Sequence, residues 1–346
     1  MMIQRYLLFF FLCILNTTFT QSSSYRTAII AFYNLENLYD TINQKDVQDD
    51  EFTPTGSKNY TPKVYREKLH NLSKVISEIG IEVNIDGPAI LGVAEIENRS
   101  VLEDFSHQQS IINRNYQIAH YDSKDERGVD VALLYNPKYF RVIKSRTLYV
   151  NIGREGGKES TRDILWVNGL LHGEEINVFV AHWPSRRGGE EASAGKRAIA
   201  ANTARKVIDT LLRKDINAKI VYMGDLNDDP VSPSVTKYLK ASGQLKKIKP
   251  DELFNPFFDY YKNGIGTLAY NDSWNLFDQI IISQGWLDKK QSGFYFQKAM
   301  IFNRPYLTST TGNFKGYPHR TYVGDNYVGG YSDHFPTYLI LYKKME

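Results

Sequence analysis

What most constrains the fold of this chain is a series of short apolar runs spread along its whole length, most of them bordered by polar residues. The runs cover 28–33, 89–93, 131–135, 164–171, 176–181, 219–223, 279–283 and 337–342. Short runs of this kind, rich in β-branched and aromatic residues and bounded by turn signals, read as strands. Two segments carry a helical period instead. In 63–79 the apolar residues fall at Val64, Leu69, Leu72, Val75, Ile76 and Ile79, and 192–212 is Ala-rich with Val207, Ile208, Leu211 and Leu212 late in the run. A third helix is expected over 101–113 and a shorter one over 232–239. Several strands follow one another with no helix between them. That order predicts α/β layers built on antiparallel sheets rather than a doubly wound parallel sheet. The polar stretch 40–61 reads as a surface excursion. Segments 244–266 and 306–331 are long, aromatic-rich and aperiodic, and long loops of this kind are usually functional or disordered.

The 346 residues suffice for one large domain or two small ones. No repeat or obvious linker follows residue 25, so 21–346 is read as a single domain. A net charge of +3 is too small for a protein that coats a polyanion, although it leaves room for a local basic patch. Residues 1–20 read as a secretory signal peptide. Arg5 supplies the positive start, 6–15 is an apolar core too short to span a bilayer comfortably, and 16–20 is a polar, small-residue cleavage region. An uncleaved anchor or a lipoprotein signal at Cys13 is the alternative, but the residues before Cys13 are Phe-Phe-Leu rather than small. Cleavage would place the protein in a periplasm or outside the cell. The only cysteine would leave with the peptide, so any metal site must use oxygen and imidazole ligands.

The polar clusters carry the chemistry. Asn34, in Tyr-Asn-Leu-Glu-Asn, either makes a strand-end turn or offers a carbonyl ligand. Glu95 directly follows a buried run, where a carboxylate is costly unless it is paired or binds a metal; a helix N-terminal acid is the bland reading. Strand alternation would point Glu97 the same way. Asp130, at a strand entrance, reads as a structural cap. His182, in Ala-His-Trp-Pro-Ser, ends a strand, and Arg186 and Arg187 follow it ahead of a helix. Arginine forks at a helix start suit a phosphate, and a solvated loop is the alternative. Asp225 and Asn227, in Gly-Asp-Leu-Asn, share a face under strand spacing and can together align a water, a divalent cation and a phosphate oxygen. An Asp-rich turn before Pro230 is also a common bland feature. Asp278, at the mouth of a buried strand, either orients an imidazole or caps the strand. Asp333 and His334, just before the last run, pair a metal-type carboxylate with a proton-transfer group.

Together and in this order, these clusters resemble the endonuclease/exonuclease/phosphatase superfamily, which includes pancreatic-type deoxyribonucleases, abasic-site endonucleases, neutral sphingomyelinases and inositol-polyphosphate 5-phosphatases. The resemblance covers nearly the whole mature chain. It implies a four-layered α/β sandwich, with two mostly antiparallel sheets packed face to face and helices outside. It implies Glu95 as the main Mg²⁺ ligand, with Asn34 close by and Asp333 as a further acidic ligand; Mn²⁺ or Ca²⁺ is the alternative. Asp225 and Asn227 would position the attacking water and the phosphate, and His334 would be an imidazole held by Asp278. His182 resembles the second histidine of the deoxyribonuclease and sphingomyelinase branches. Arg162, in Ser-Thr-Arg-Asp-Ile-Leu, stands where some members place a phosphate-contacting arginine. The implied chemistry is metal-assisted, in-line attack of water on a phosphoester, with either Asp225 or His334 as the base.

The first substrate reading is a secreted endonuclease or phosphodiesterase acting on nucleic acid. Arg186, Arg187, Lys196 and Arg197 would form its phosphate-backbone track. The second is a phosphomonoesterase or a sphingomyelinase-like phospholipase, with the aromatic loops 254–261 and 317–331 touching a base, a sugar ring or a lipid surface. A membrane surface is a partner only in the lipid case, and no stable protein partner is implied. The lack of disulfides in the mature chain weakens the pancreatic analogy. A catalytically inactive binding protein on the same fold is the third reading.

Overall fold

The computed structural model describes residues 24–153 and 159–345; the segment read as a signal peptide, 1–20, lies outside them. The first apolar run is the middle of a long strand, β1 (Tyr25–Leu38). Along it Ile30 and Phe32 join one core, and Ile29, Ala31 and Tyr33 join another. A strand buried on both faces need not alternate apolar with polar residues, which is why this run is continuous.

The chain continues through α1 (Pro62–Glu78), β2 (Ile90–Ile96), α2 (Arg99–Ser106), β3 (Gln117–His120), β4 (Asp130–Tyr135), β5 (Phe140–Leu148), β6 (Ile164–Leu171) and β7 (Glu174–His182). After α3 (Glu190–Lys214) come β8 (Lys219–Asp225), β9 (Ala241–Ser242), β10 (Leu253–Phe254), α4 (Phe258–Lys262), β11 (Leu268–Tyr270), β12 (Ser273–Asn275) and β13 (Asp278–Ile282). The last strands are β14 (Tyr295–Ile301), β15 (Tyr322–Val323), β16 (Asn326–Tyr327) and β17 (Thr337–Lys344). One sheet has the order β14-β17-β1-β2-β4-β3 and the other β5-β6-β7-β8-β13-β10-β9. Pairing is antiparallel except between β1 and β2, β7 and β8, and β9 and β10.

The two sheets meet in a core that includes Phe32, Ile90, Val178, Val221, Met223, Ile280 and Leu339. Leu69, Leu72, Val75 and Ile76 of α1, with Val101 and Phe105 of α2, cover the outer face of the first sheet. Ala200, Ala201, Ala204 and Ile208 of α3 cover the second. The result is the four-layered sandwich, mostly antiparallel, that the resemblance implied.

Local chemistry sets the helix limits. Thr61 caps α1 by accepting from the Val64 amide, and Pro62 takes the first helical position. Arg114 donates to the carbonyls of Ile76 (2.8 Å) and Ser77 (2.7 Å) at its other end. The expected helix over 101–113 stops at Ser106, because the side chains of Ser106 and His107 both turn back onto the Glu103 carbonyl. The segment expected to be helical at 232–239 is a short π-helical piece, Ser234–Tyr238. Strands β3, β5 and β14 carried no apolar run because each is a sheet edge, partly exposed and therefore more polar. The 40–61 stretch is not purely a surface excursion, since Phe52 and Tyr60 pack with Tyr39, Val129 and Tyr322 in a small core of their own. Phe254 and Phe257 sit in the inter-sheet core, so that part of 254–261 offers no surface to a ligand.

Parallel pairing brings the C-terminal ends of β1 and β2 together, and likewise those of β7 and β8. Antiparallel pairing brings the first residues of β13 and β17 to the same rim. In register, His182 lies opposite Asp225, Asp225 opposite Asp278, and Asn34 opposite Ala94. The polar strand ends are therefore gathered at one rim of the sandwich.

Candidate active site

At that rim a run of near contacts links the acidic and imidazole side chains. Glu95 Oε1 lies 3.7 Å from His182 Nε2, which is 3.6 Å from Asp225 Oδ2. The same Asp225 oxygen is 3.9 Å from His334 Nε2, which is 3.8 Å from Asp333 Oδ1. These gaps are longer than hydrogen bonds, and they leave space among the groups. Other contacts are tight. His334 Nδ1 lies 2.7 Å from Asp278 Oδ2, an oxygen that also accepts from the Thr267 hydroxyl. Asn34 Nδ2 donates to Asp225 Oδ2 (3.0 Å), and the Asn227 amide donates to Asp225 Oδ1 (2.9 Å). Asn34 Oδ1 accepts from the Glu36 amide, and Asn227 Nδ2 donates to the Trp183 carbonyl. Asp333 is the most open of the set, with its side chain 30% exposed and 3.9 Å from Arg320. Among the described residues no contact joins Asp333 directly to Glu95; they stand at opposite ends of the run.

Burial and charge sort the two histidines. Burial, with the guanidinium groups of Arg162 and Arg127 nearby, holds His182 well below its ordinary pKa, so it is neutral. Burial would lower His334 as well, but the Asp278 carboxylate overrides it and raises His334 well above its ordinary value. Burial, reinforced by Asp278 against the opposing pull of His334, pushes Asp225 up to about 7.

The backbone is strained where it presents these groups. Glu95 has φ +60° at an irregularity in the pairing of β2 with β4, and Asn227 has φ +47°. Glu36 and Asn37, at the bulged end of β1, have φ +49° and +54°. Non-glycine residues in the left-handed region cost about 1–3 kcal/mol each and cluster at functional sites. The Asn37 amide donates to Glu95 Oε2 (3.0 Å), so one bulge holds the product of the other. The bulge also resets the alternation, and this corrects the reading of Glu97. It turns away and accepts from the Asp40 amide (2.6 Å) and Gln44 Nε2 (2.7 Å).

The basic residues divide differently from the expectation. Arg186 is not free for a phosphate. It donates to the Asn227 carbonyl (3.0 Å), Glu190, Asp228 and Asp229, and packs on the Phe277 ring. Arg197 is 0% exposed and lies 2.7 Å from Asp228 Oδ2, so it is a core ion pair rather than part of a surface track. Replacing Arg197 with Met should lower stability by about 3 kcal/mol, by leaving Asp228 short of a partner, and leave KM unchanged; denaturant melts and steady-state kinetics check this. Lys196 pairs with Glu159. Arg187 is exposed, and it lines a cleft of about 430 Å³ with Arg127, Arg162 and Lys196, where Asp125 and Glu159 offset part of the charge. Arg162 is buried, donating to Asp125 (3.0 Å) and to the Trp183 carbonyl beside His182 (2.6 Å).

Asp130 is a structural cap, as expected, accepting from the Ser123 amide (2.8 Å) and lying 3.3 Å from His120. With His120 and Asp122 it forms a second acidic cluster on the same rim. Sequence reasoning missed Lys68, Glu36, Thr267 and Ser332, which hold the site from behind, and Arg127, which pairs with Asp125 and lies near enough to His182 to lower its pKa. Lys68 did carry a signal: it falls on the apolar stripe of α1, four residues from both Val64 and Leu72.

The profile of the Endonuclease/Exonuclease/phosphatase family matches residues 29–343, and the chain belongs to that family, whose members are metal-dependent phosphoester hydrolases. Solved structures agree in fold. An endonuclease/exonuclease/phosphatase family protein from Bacteroides thetaiotaomicron is 16% identical with a TM-score of 0.55, over 94% of this chain and 98% of that one. A mannosyl-6-phosphatase from the same species is 16% identical with a TM-score of 0.53, over 91% and 99%. TDP2 from D. rerio, complexed with a single-strand DNA product, is 12% identical with a TM-score of 0.53, over 91% and 98%. No curated protein sequence matches the chain.

Proposed function

We propose that the protein is a secreted phosphoester hydrolase, a single catalytic domain over 21–346, that uses a divalent cation. The observation that carries this reading is the run of near contacts from Glu95 through His182, Asp225 and His334 to Asp333. The donor set fits a hard cation. Glu95 Oε1 accepts no hydrogen bond among the described residues, and the other candidate ligands are oxygens, as Mg²⁺, Mn²⁺ and Ca²⁺ prefer. Glu95 would hold the ion, with Asn34 and Asp333 as further ligands. When bound, the cation would neutralise negative charge developing on the phosphate oxygens.

The protein's own groups then divide the work. Asp278 fixes the His334 ring and keeps it protonated, so His334 donates to a phosphate or leaving-group oxygen. Asp225, held by Asn34 and by the Asn227 amide, accepts the proton of the attacking water. His182, neutral, lies between the Glu95 and Asp225 carboxylates and faces the same space. Of the two candidate bases, Asp225 is favoured because the His334 proton is held too tightly. A pH–rate profile tests this. kcat/KM should rise as pH passes through about 7, where Asp225 ionises, and fall only well above the ordinary imidazole range, where His334 deprotonates. Asp278→Asn should move that alkaline limb down.

On substrate, the internal commitment of Arg186 and Arg197 removes much of the track that a polynucleotide would need. This favours a compact phosphomonoester or a phospholipid headgroup. The test offers plasmid DNA, RNA, sphingomyelin and a phosphomonoester panel with Mg²⁺, using His334→Ala as control. Turnover of a phosphomonoester or of sphingomyelin with DNA and RNA intact is expected. Cleavage of DNA or RNA alone restores the nuclease reading, and wild type matching the control on every substrate defeats the enzyme reading.

A further inference from the structure

Lys68 is a buried cation that the catalytic roles leave unused. It lies on α1 at 1% exposure, and its ammonium donates to the Glu36 carbonyl (2.6 Å) and to Thr321 Oγ1 (2.7 Å). A buried ammonium is costly without such partners. The two oxygens belong to separate arms of the site. Glu36 opens the left-handed bulge at the end of β1, and the next amide, that of Asn37, holds Glu95 Oε2. Thr321 stands on the other arm, and its amide donates to Glu36 Oε2 (2.7 Å). Its hydroxyl lies 3.5 Å from the Tyr331 carbonyl, beside Ser332. The Ser332 hydroxyl in turn donates to the Asn34 carbonyl (2.7 Å) and accepts from the His334 amide (3.1 Å). One ammonium thus ties the arm that presents Glu95 to the arm that presents Asp333 and His334.

We propose that Lys68 is a positioning residue that fixes Glu95 relative to Asp333 and His334, an inference that rests on the phosphoesterase reading above. Two consecutive non-glycine residues in the left-handed region persist only where the surroundings over-determine them. The Lys68 bond to Glu36 supplies that constraint at the first of the two. Without it the bulge loosens and the Asn37 amide no longer holds Glu95 in place, while the Thr321–Glu36 and Ser332–Asn34 bonds still join the two arms.

The test uses the full chain with Lys68→Met, which keeps much of the volume and removes the N–H donors. Mn²⁺ binding is read by water-proton relaxation, and kcat and KM are measured with p-nitrophenyl phosphate. Mn²⁺ affinity and kcat are each expected to fall roughly 10–100-fold, the usual effect of losing a group that orients a metal ligand. KM should stay within about threefold, because substrate contacts are intact. A variant with wild-type circular dichroism, Mn²⁺ affinity and kcat overturns the proposal. If Lys68→Met does not fold, Thr321→Val carries the test, because it removes one of the two oxygens that the ammonium binds. A loss of kcat of about tenfold is then expected, and an unchanged kcat overturns the proposal. Should the wild type hydrolyse no phosphoester, the functional reading fails while the Mn²⁺ measurement still decides the role of Lys68.

Discussion

Replacing His334 with alanine is expected to lower kcat by roughly 1,000-fold with KM changed only a few-fold, as for loss of a positioned proton-transfer group. The imidazole is buried, its Nδ1 is 2.7 Å from Asp278, and its Nε2 faces Asp225 and Asp333 across gaps of 3.9 and 3.8 Å. His182, which approaches the same Asp225 oxygen, cannot take its place because it is held neutral. The variant also leaves Asp278 buried with only the Thr267 hydroxyl on its inner oxygen, so a stability loss of about 3 kcal/mol should accompany the kinetic one. Asp278→Asn separates the two effects. It keeps the ring in place through a weaker bond, lowers the His334 pKa, and should cost less in kcat than the alanine variant. Initial rates over a pH series, with denaturant melts of each variant, check both expectations.

The second large effect is at Glu95. Glu95→Gln keeps an oxygen for the Asn37 amide and the same demand at φ +60°, so the bulge should survive. What it removes is the negative charge that faces the site through Oε1. Loss of most of the cation's contribution, several kcal/mol, corresponds to roughly 1,000-fold in kcat/KM. Divalent-ion affinity should fall in parallel, which isothermal titration with Mn²⁺ would measure. Raising the metal concentration should recover part of the rate for Glu95→Gln and none for His334→Ala. That difference would separate the group that holds the ion from the group that serves the phosphate.

Much of this site is legible in the sequence because strand-end polarity is a local signal. A buried run that ends on Glu95, His182, Asp225 or Asp278 advertises a cost that something must offset. Layering was legible for the same reason, since β1, β2, β7 and β8 are buried on both faces and read as continuous apolar runs. The failures have physical causes too. Alternation misplaced Glu97 because the bulge at Glu95 is a backbone event with no residue signature. Arg186 and Arg197 look free in the sequence because Asp228 and Asp229, which bind them together with the nearby Glu190 in the case of Arg186, lie in another loop and meet them only in the folded chain. Lys68 is hard to single out because one cation on an apolar helical stripe has no visible partners in the sequence; they are the Glu36 carbonyl in β1 and the Thr321 hydroxyl just before β15. The edge strands were lost because exposure dilutes the apolar pattern that marks a strand.

The most direct test is crystallographic. Crystals soaked with Mn²⁺ and vanadate, a phosphate mimic, should give an anomalous peak coordinated by the Glu95 carboxylate. The vanadate oxygens should lie within hydrogen-bonding distance of His334 Nε2. An ion held instead at His120, Asp122 and Asp130, or a vanadate bound away from His334, would contradict the assignment of the Glu95–His334 cluster as the catalytic centre.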